Sequence, residues 1–238
     1  MLRNAVSGAT GWFRPYKYDR QGNIVLHEYR AIYFYIPKVA CSSLKLAIAD
    51  LIGVPSPDPE NKLAFPHKRN YPYVKKSEVL EKYESYFRFA FVRNPWDRIL
   101  SCYQNKIFGV REGKFGDRSL PVFMKRDSQR FSLDMSFPEF AKVLMDIPDC
   151  KADVHYRSQH TFLEDKNGEM LVNYIGRFES LNEDFEKVKV LIGAPKFHLP
   201  HVMKSNRDKT YQKYYDIETK ALVEKRYGKD IELFKYSF

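Results

Sequence analysis

The sequence has no run of about eighteen apolar residues, so no segment of it is expected to span a bilayer. Its opening stretch, MLRNAVSGATGWFRPYKYDR, lacks an apolar core followed by small residues, which speaks against a secretory signal. Cysteine is scarce. Cys41, Cys102 and Cys150 are odd in number and lack metal-ligand spacing, which excludes a disulfide scaffold and a structural zinc site as expectations. Internal repeats and low-complexity tracts are also missing. A reducing, cytoplasmic setting fits this cysteine usage best.

What is present suits one folded domain over residues 1–238: 44% hydrophobic and 16% aromatic residues are enough to build a sizeable core. The formal net charge of +10 favours acidic partners, such as nucleic acid, anionic lipid, a phosphorylated cofactor or an acidic glycan. Charge alone does not choose among them, and a merely soluble basic surface carries the same signature.

The pattern along the chain alternates strands and helices. Residues 1–29 read as an N-terminal arm or edge hairpin turning at Gln21-Gly22-Asn23. Residues 30–36 (RAIYFYI) read as a buried strand. Leu44, Ala47, Ile48, Leu51 and Ile52 then recur at helical spacing, with Gly53 as terminator. Residues 54–76 read as loop, and Ser77 as the cap of a helix to Tyr86. A second strand is expected at 87–92 (FRFAFV). Asn94-Pro95 then opens a helix with the stripe Ile99, Leu100, Tyr103 and Ile107, closed by Gly109. Residues 110–135, dense in Arg and Lys without clear period, read as a basic surface insertion and a possible acceptor-binding loop. Ser136–Glu139 and Ser180–Glu183 both match a capping box, with a strand at 171–176 between them. The second of these helices is expected to bury Phe185, Val188, Leu191 and Ile192. Asp216 caps a last long helix ending near Gly228. This order predicts an α/β fold with a central, mostly parallel sheet flanked by helices.

Two stretches carry chemistry. In YFYIPKVACSSLK (33–45) a strand ends, turns and gives way to a helix, which places main-chain N–H groups and a helix N-terminus around an anion-sized space. Lys38 adds charge, and Ser42 and Ser43 add hydroxyls. The G-x-x-x-x-G-K-[ST] consensus is absent, so an ordinary turn with serine caps remains an equal reading of this stretch alone. The second strand ends in Arg93, where a metal-dependent phosphate enzyme would place an aspartate. Arginine suits a second phosphate instead. Two anion sites at the carboxyl ends of core strands fit one nucleotide with phosphates on both sides of its ribose.

These residues resemble a known family. IPKVACSSLK is similar to the 5′-phosphosulfate loop, and FAFVRNPWDRILSCYQNK to the 3′-phosphate motif, of the membrane-type carbohydrate sulfotransferases (sulfotransferase family 2) and their bacterial relatives. Asp153–Gln159 resembles the family's D-x-H-W-x-x-Q segment with Tyr156 in place of Trp. IGRFESLNEDF and the C-terminal KSNR, YYD and DIELFKY stretches also agree, with Met203 where Asn is common. The resemblance spans about residues 30–236. It implies a P-loop NTPase-like three-layer fold, 3′-phosphoadenosine 5′-phosphosulfate (PAPS) as donor, the 3′,5′-bisphosphate PAP as product, and no metal. It further implies that Lys38 and the 37–43 stretch (Pro37, Val39, Ala40, Cys41, Ser42, Ser43) hold the 5′-phosphosulfate, and that Arg93 and Ser101 hold the 3′-phosphate.

Transfer to a hydroxyl calls for a base. His67, between the two motifs, is the first candidate; His155, in the D-x-H segment, comes second because that segment can instead pack the site, and Asp153 is a lesser one. The acceptor is expected to be a carbohydrate or glycan. Tyr71, Tyr73 and Phe115 are candidates either for stacking on sugars or for packing. Nucleic acid is not an expected partner, and the oligomeric state is not readable. A Golgi-lumen setting would follow if an N-terminal anchor had been removed. Two other readings compete: a P-loop-type kinase, which Arg93 disfavours, and a non-catalytic basic module binding an anionic glycan or RNA, which leaves the paired motifs unexplained.

Overall fold

The computed structural model describes residues 22–61, 66–113, 120–200 and 210–238. Five strands form one sheet in the order β3-β1-β2-β4-β5. They are β1 (Asn23–Leu26), β2 (Ala31–Phe34), β3 (Tyr73–Val74), β4 (Phe87–Val92) and β5 (Tyr174–Arg177). Strands β2, β4 and β5 run parallel, with Phe34 opposite Ala90 and Val92 opposite Arg177. Their carboxyl ends therefore lie on one edge, and the segments after Phe34 and Val92 emerge side by side. The β1 strand pairs antiparallel with both β2 and β3. It is an interior strand, not the edge expected for the N-terminal region. The chain reverses into β2 through a 3-10 turn at His27–Tyr29, with Arg30 left-handed; the arm or hairpin expected over residues 1–21 lies outside the described residues.

Ten α-helical segments accompany the sheet among the described residues: α1 (Cys41–Leu51), α2 (Val79–Tyr83), α3 (Pro95–Tyr103), α4 (Gly109–Arg111), α5 (Val122–Arg126), α6 (Phe137–Met145), α7 (His160–Leu163), α8 (Leu181–Leu191), α9 (Ile217–Arg226) and α10 (Gly228–Leu233). None is long and apolar enough to cross a membrane. Gly53, at φ +68, does end α1. Gly109 does not end α3. Its backbone is helical, and a π-helical turn at Gln104–Phe108 carries the chain on into α4. The α2 segment begins through a 3-10 turn at Lys76–Glu78 without a Ser77 cap.

The two S-x-x-E sequences behave differently. Ser136 is extended (ψ 168), and its hydroxyl and the Glu139 carboxylate form the full capping box. Ser180 has ψ 34, and its hydroxyl donates to Asp184 Oδ2 at 2.8 Å instead. The β5 strand starts later than residue 171 because the Leu171 N–H is already donated to the Leu163 carbonyl. Leu191 is half exposed, whereas Phe185, Val188 and Ile192 turn inward.

The core has two parts. One surrounds the sheet, where α1 and α8 lay Leu44, Ala47, Ile48, Phe185 and Val188 against β2 and β4. Gly176 on β5 is required there, because a Cβ would stand 2.5 Å from the Phe91 ring. The second cluster joins α3, α6 and α9 around Ile99, Leu100, Phe140 and Val223. Residues 120–135 belong to this second cluster, which corrects the expectation of a surface insertion. Phe123, Met124, Phe131 and Met135 are buried, and the Phe123 and Phe131 rings meet edge-on at 4.9 Å beside Tyr156. Burying each such ring contributes about 1.5–3 kcal/mol, enough to seat the segment while Lys125, Arg126 and Arg130 face water. Residues 114–119, with Lys114, Phe115 and Arg118, lie outside the described residues.

Candidate active site

After β2 the chain stays buried through Tyr35, Ile36 and Pro37, then turns with two non-glycine residues in the left-handed region, Lys38 (φ 71) and Ala40 (φ 48). Each such residue costs about 1 kcal/mol or more, so the surrounding contacts hold this turn in place. Ala40 then opens α1 without any side-chain cap, and no acidic residue occupies the first turn. The leading amides of α1 therefore lack an intrahelical acceptor, and the helix end favours an anion. Ser42 does not cap its own helix: its Oγ lies 3.0 Å from His67 Nε2, and His67 also hydrogen-bonds the Cys41 thiol. Burial raises the Cys41 thiol. The His67 hydrogen bond and charge, Lys45 and the Lys38 main-chain N–H outweigh that and bring it down to about 6. Ser43 is buried on the helix.

One residue past β4, Arg93 is buried and held by neighbours that include Asp97, Phe178 and the Lys38 carbonyl. Its Nε and Nη2 each lie 2.7 Å from Asp97 Oδ2, its guanidinium stacks on Phe178 at 4.0 Å, and its Nη1 donates to the Lys38 carbonyl at 3.0 Å. The two motifs are thus joined by a direct hydrogen bond. Ser101 follows Asp97 by one helical turn on the same face of α3 and is part-buried. Arg98, wholly buried, ties the same parts together from behind. It donates to the carbonyls of Pro37 (3.0 Å), Arg157 (2.7 Å) and Val154 (3.3 Å).

That clamp brings the 153–159 segment against the loop. Asp153, buried, accepts from the His155 main-chain N–H at 2.9 Å and holds His155 Nδ1 at 2.5 Å. Burial above all, then Lys106 and Lys38 against the pull of Asp153, lower the His155 pKa to about 4. The imidazole is therefore neutral at physiological pH. The Lys38 amine falls to about 8, first through burial and then through Lys106 and Arg93, with Cys102 and Cys41 opposing. A neutral imidazole oriented through Nδ1 and a cation thus share one electrostatic neighbourhood beside an uncapped helix start. Such a set can bind an anion, steady charge on a departing oxygen and accept a proton.

Tyr71 and Tyr73 pack rather than face a ligand. The Tyr71 hydroxyl donates to the Lys45 carbonyl at 2.8 Å. The rings of Tyr35, Tyr71 and Tyr73 surround the fully buried Lys45 ammonium at 4.0, 5.8 and 5.7 Å, and this ammonium has no hydrogen-bond partner among the described residues. The 203–207 loop, with Met203, lies outside the described residues. Sequence reasoning passed over Asp97, Arg98, Lys106 and Gln159. All four stand inside the quoted motifs, where no role was assigned to them, and Lys106 closes its motif on a π-helical turn that no 3.6-residue period marks. No group of three or more His, Cys, Asp or Glu side chains suited to a metal occurs among the described residues.

Parallel strands whose carboxyl ends carry a lysine loop and an arginine corner make an arrangement suited to binding an anion. Over residues 21–237 the chain matches the model of the sulfotransferase family, and it belongs to that family. It is 29% identical to carbohydrate sulfotransferase 14 of Danio rerio over 72% of this chain and 48% of that protein. It is 28% identical to carbohydrate sulfotransferase 14 of Homo sapiens over 79% and 50%, and 26% identical to carbohydrate sulfotransferase 11 of Mus musculus over 92% and 68%. The chain thus spans about half the length of the first curated relatives it matches. No solved structure matches it.

Proposed function

We propose that this chain, as one domain over residues 1–238 with a P-loop-like arrangement, transfers a sulfuryl group from PAPS to a hydroxyl of a carbohydrate and releases PAP. The acceptor class rests on the names of its relatives. The donor rests on the site, and the observation that carries it is the 3.0 Å hydrogen bond from Arg93 Nη1 to the Lys38 carbonyl. Because it keeps the loop and the second cationic corner adjacent, it supports a donor bearing phosphates at both its 3′ and 5′ positions.

In this reading the amides of residues 39–43, with Ser42 and Ser43, bind the 5′-phosphosulfate, and Arg93 and Ser101 bind the 3′-phosphate. The acceptor oxygen attacks sulfur in line as the bond from sulfur to the bridging phosphate oxygen breaks. Lys38 steadies the negative charge that collects on that oxygen. His155 takes the acceptor's proton. It is preferred over His67 because Asp153 orients it, it is neutral, and it shares the field of Lys38, whereas His67 is engaged by Ser42 and Cys41. No metal is assigned a role. The kinase reading would need a carboxylate for Mg²⁺, whereas Asp97 already carries Arg93 and Asp153 already holds His155.

A thermal-shift comparison tests the assignment, since a nucleotide stabilises only the fold that recognises it. PAP should raise the melting temperature well beyond ATP or ADP at equal concentration. Stabilisation by Mg²⁺-ATP with none by PAP would reject the reading in favour of a kinase, and binding of polyanions alone would favour a basic module.

A further inference from the structure

The inference begins with a glutamine wholly removed from solvent. Gln159 is 0% exposed, and its carboxamide is used entirely on one residue. Its Oε1 accepts from the Arg93 main-chain N–H at 3.0 Å, and its Nε2 donates to the Arg93 carbonyl at 2.8 Å. The β4–β5 ladder ends at Val92 opposite Arg177, and the following bond, Phe178 N–H to the Val92 carbonyl at 2.8 Å, is the last one before Arg93. The Arg93 peptide thus lies just beyond the sheet, and a single side chain supplies the two hydrogen bonds that a neighbouring strand would have made.

Gln159 is itself anchored. Its main-chain N–H donates to Asp230 Oδ2 at 2.6 Å, while the His160 main-chain N–H (2.9 Å) and His160 Nδ1 (2.7 Å) meet Asp230 Oδ1. Asp230, from α10, is also 0% exposed. A chain of hydrogen bonds through the fully buried Asp230 and Gln159 therefore runs from α10 to the backbone of Arg93, whose guanidinium is fixed by Asp97 and the Lys38 carbonyl. A residue needed only to fill this space would be apolar, since a buried carboxamide is costly unless both its ends are bonded.

We propose that Gln159 is a positioning residue for recognition of the donor's 3′-phosphate, holding the Arg93 peptide so that the guanidinium meets that group, with Asp230 holding Gln159. This rests on the assignment of Arg93 to the 3′-phosphate made above and deepens it. The role is one of discrimination: the site would tell a 3′,5′-bisphosphate from a 5′-monophosphate through a residue that touches neither.

PAP and 5′-AMP differ only in the 3′-phosphate, so the ratio of their dissociation constants isolates that group from everything else. Calorimetry on the full chain should show PAP weakened about tenfold in Gln159→Met with 5′-AMP unchanged, the size expected for loss of a hydrogen-bonded buried pair. Equal weakening of both nucleotides would reveal a merely structural residue and overturn the proposal, as would no change in either. Should Gln159→Met fail to fold, Asp230→Asn, which keeps shape and removes charge, must lower the PAP to 5′-AMP preference in the same direction, and an unaltered preference there overturns it. Arg93→Ala separates the two layers. A preference that survives in Arg93→Ala rejects the 3′-phosphate assignment and the proposal with it. A preference lost in Arg93→Ala but intact in Gln159→Met rejects the Gln159 role alone.

Discussion

The openings of α1 and α3 are built from the same grammar, a parallel strand followed by a turn and a helix, and they are finished in opposite ways. At α1 the residue before the helix is a left-handed alanine with no capping atom, and the nearby amine is pushed down to about 8. At α3 Asn94 accepts from the Trp96 N–H at 3.1 Å, Pro95 removes a further donor, and Arg93 is already paired with Asp97. One end leaves its amides and a tunable cation for a ligand. The other is closed and offers a charge in a fixed pose. Under the proposed function the contrast divides the labour, with chemistry assigned to the first helix and recognition to the second.

The largest expected effect is at the chemical end. Lys38→Ala and His155→Ala should each lower turnover by about 10²–10⁴-fold while PAP affinity changes far less. Single-turnover transfer assays beside calorimetry read this, and full activity in His155→Ala combined with inactivity in His67→Ala would move the base to His67. At the recognition end the order reverses. Arg93→Ala should weaken PAP by about 1.5–3 kcal/mol, since a charge-assisted bond is lost, and unchanged affinity would break the comparison.

Next comes pH. If the protonated Lys38 amine is the form that serves the leaving oxygen, kcat/KM should decline as pH rises through about 8, the value in the protein without donor. Lys38→Arg should remove that decline. A flat profile to pH 10 in the parent chain would take Lys38 out of the chemical step.

The smallest effect concerns the two helix openings themselves. Asn94→Ala removes a cap and should cost about 1–2 kcal/mol of stability. Ala40→Gly removes no cap and relieves a left-handed alanine, so its denaturation midpoint should match or exceed the parent's. Equal losses in both would mean that the openings are not differently made.

The local parts of this arrangement were legible in the sequence. The 87–92 strand, the Asn94-Pro95 start, the Ser136 capping box and the Asp216 cap each depend on residues within a few positions of one another. The 110–135 misreading has a physical source. Phe123, Phe131 and Met135 bury without helical or strand period, and the surrounding Lys and Arg dominate the composition. Ser180 misled because its S-x-x-E sequence does not specify the extended backbone a capping box needs. In the site, Lys38 and Arg93 announce themselves at strand ends. Arg98, Gln159 and Asp230 do not, because their partners are main-chain groups more than fifty residues away, and backbone carbonyls and amides carry no sequence signature.

The tyrosine cage around Lys45 has a practical consequence. Three rings that keep water from that ammonium keep amine-directed reagents from it as well, so Lys45 should be among the last lysines to be acylated in the intact protein. Because the cage draws its walls from β3, from the stretch after β2 and from Tyr71, its amine becomes reactive only when α1 parts from those walls. A mass spectrum of a briefly acylated sample would then work as a gauge of loop integrity, without any donor, acceptor or assay of transfer.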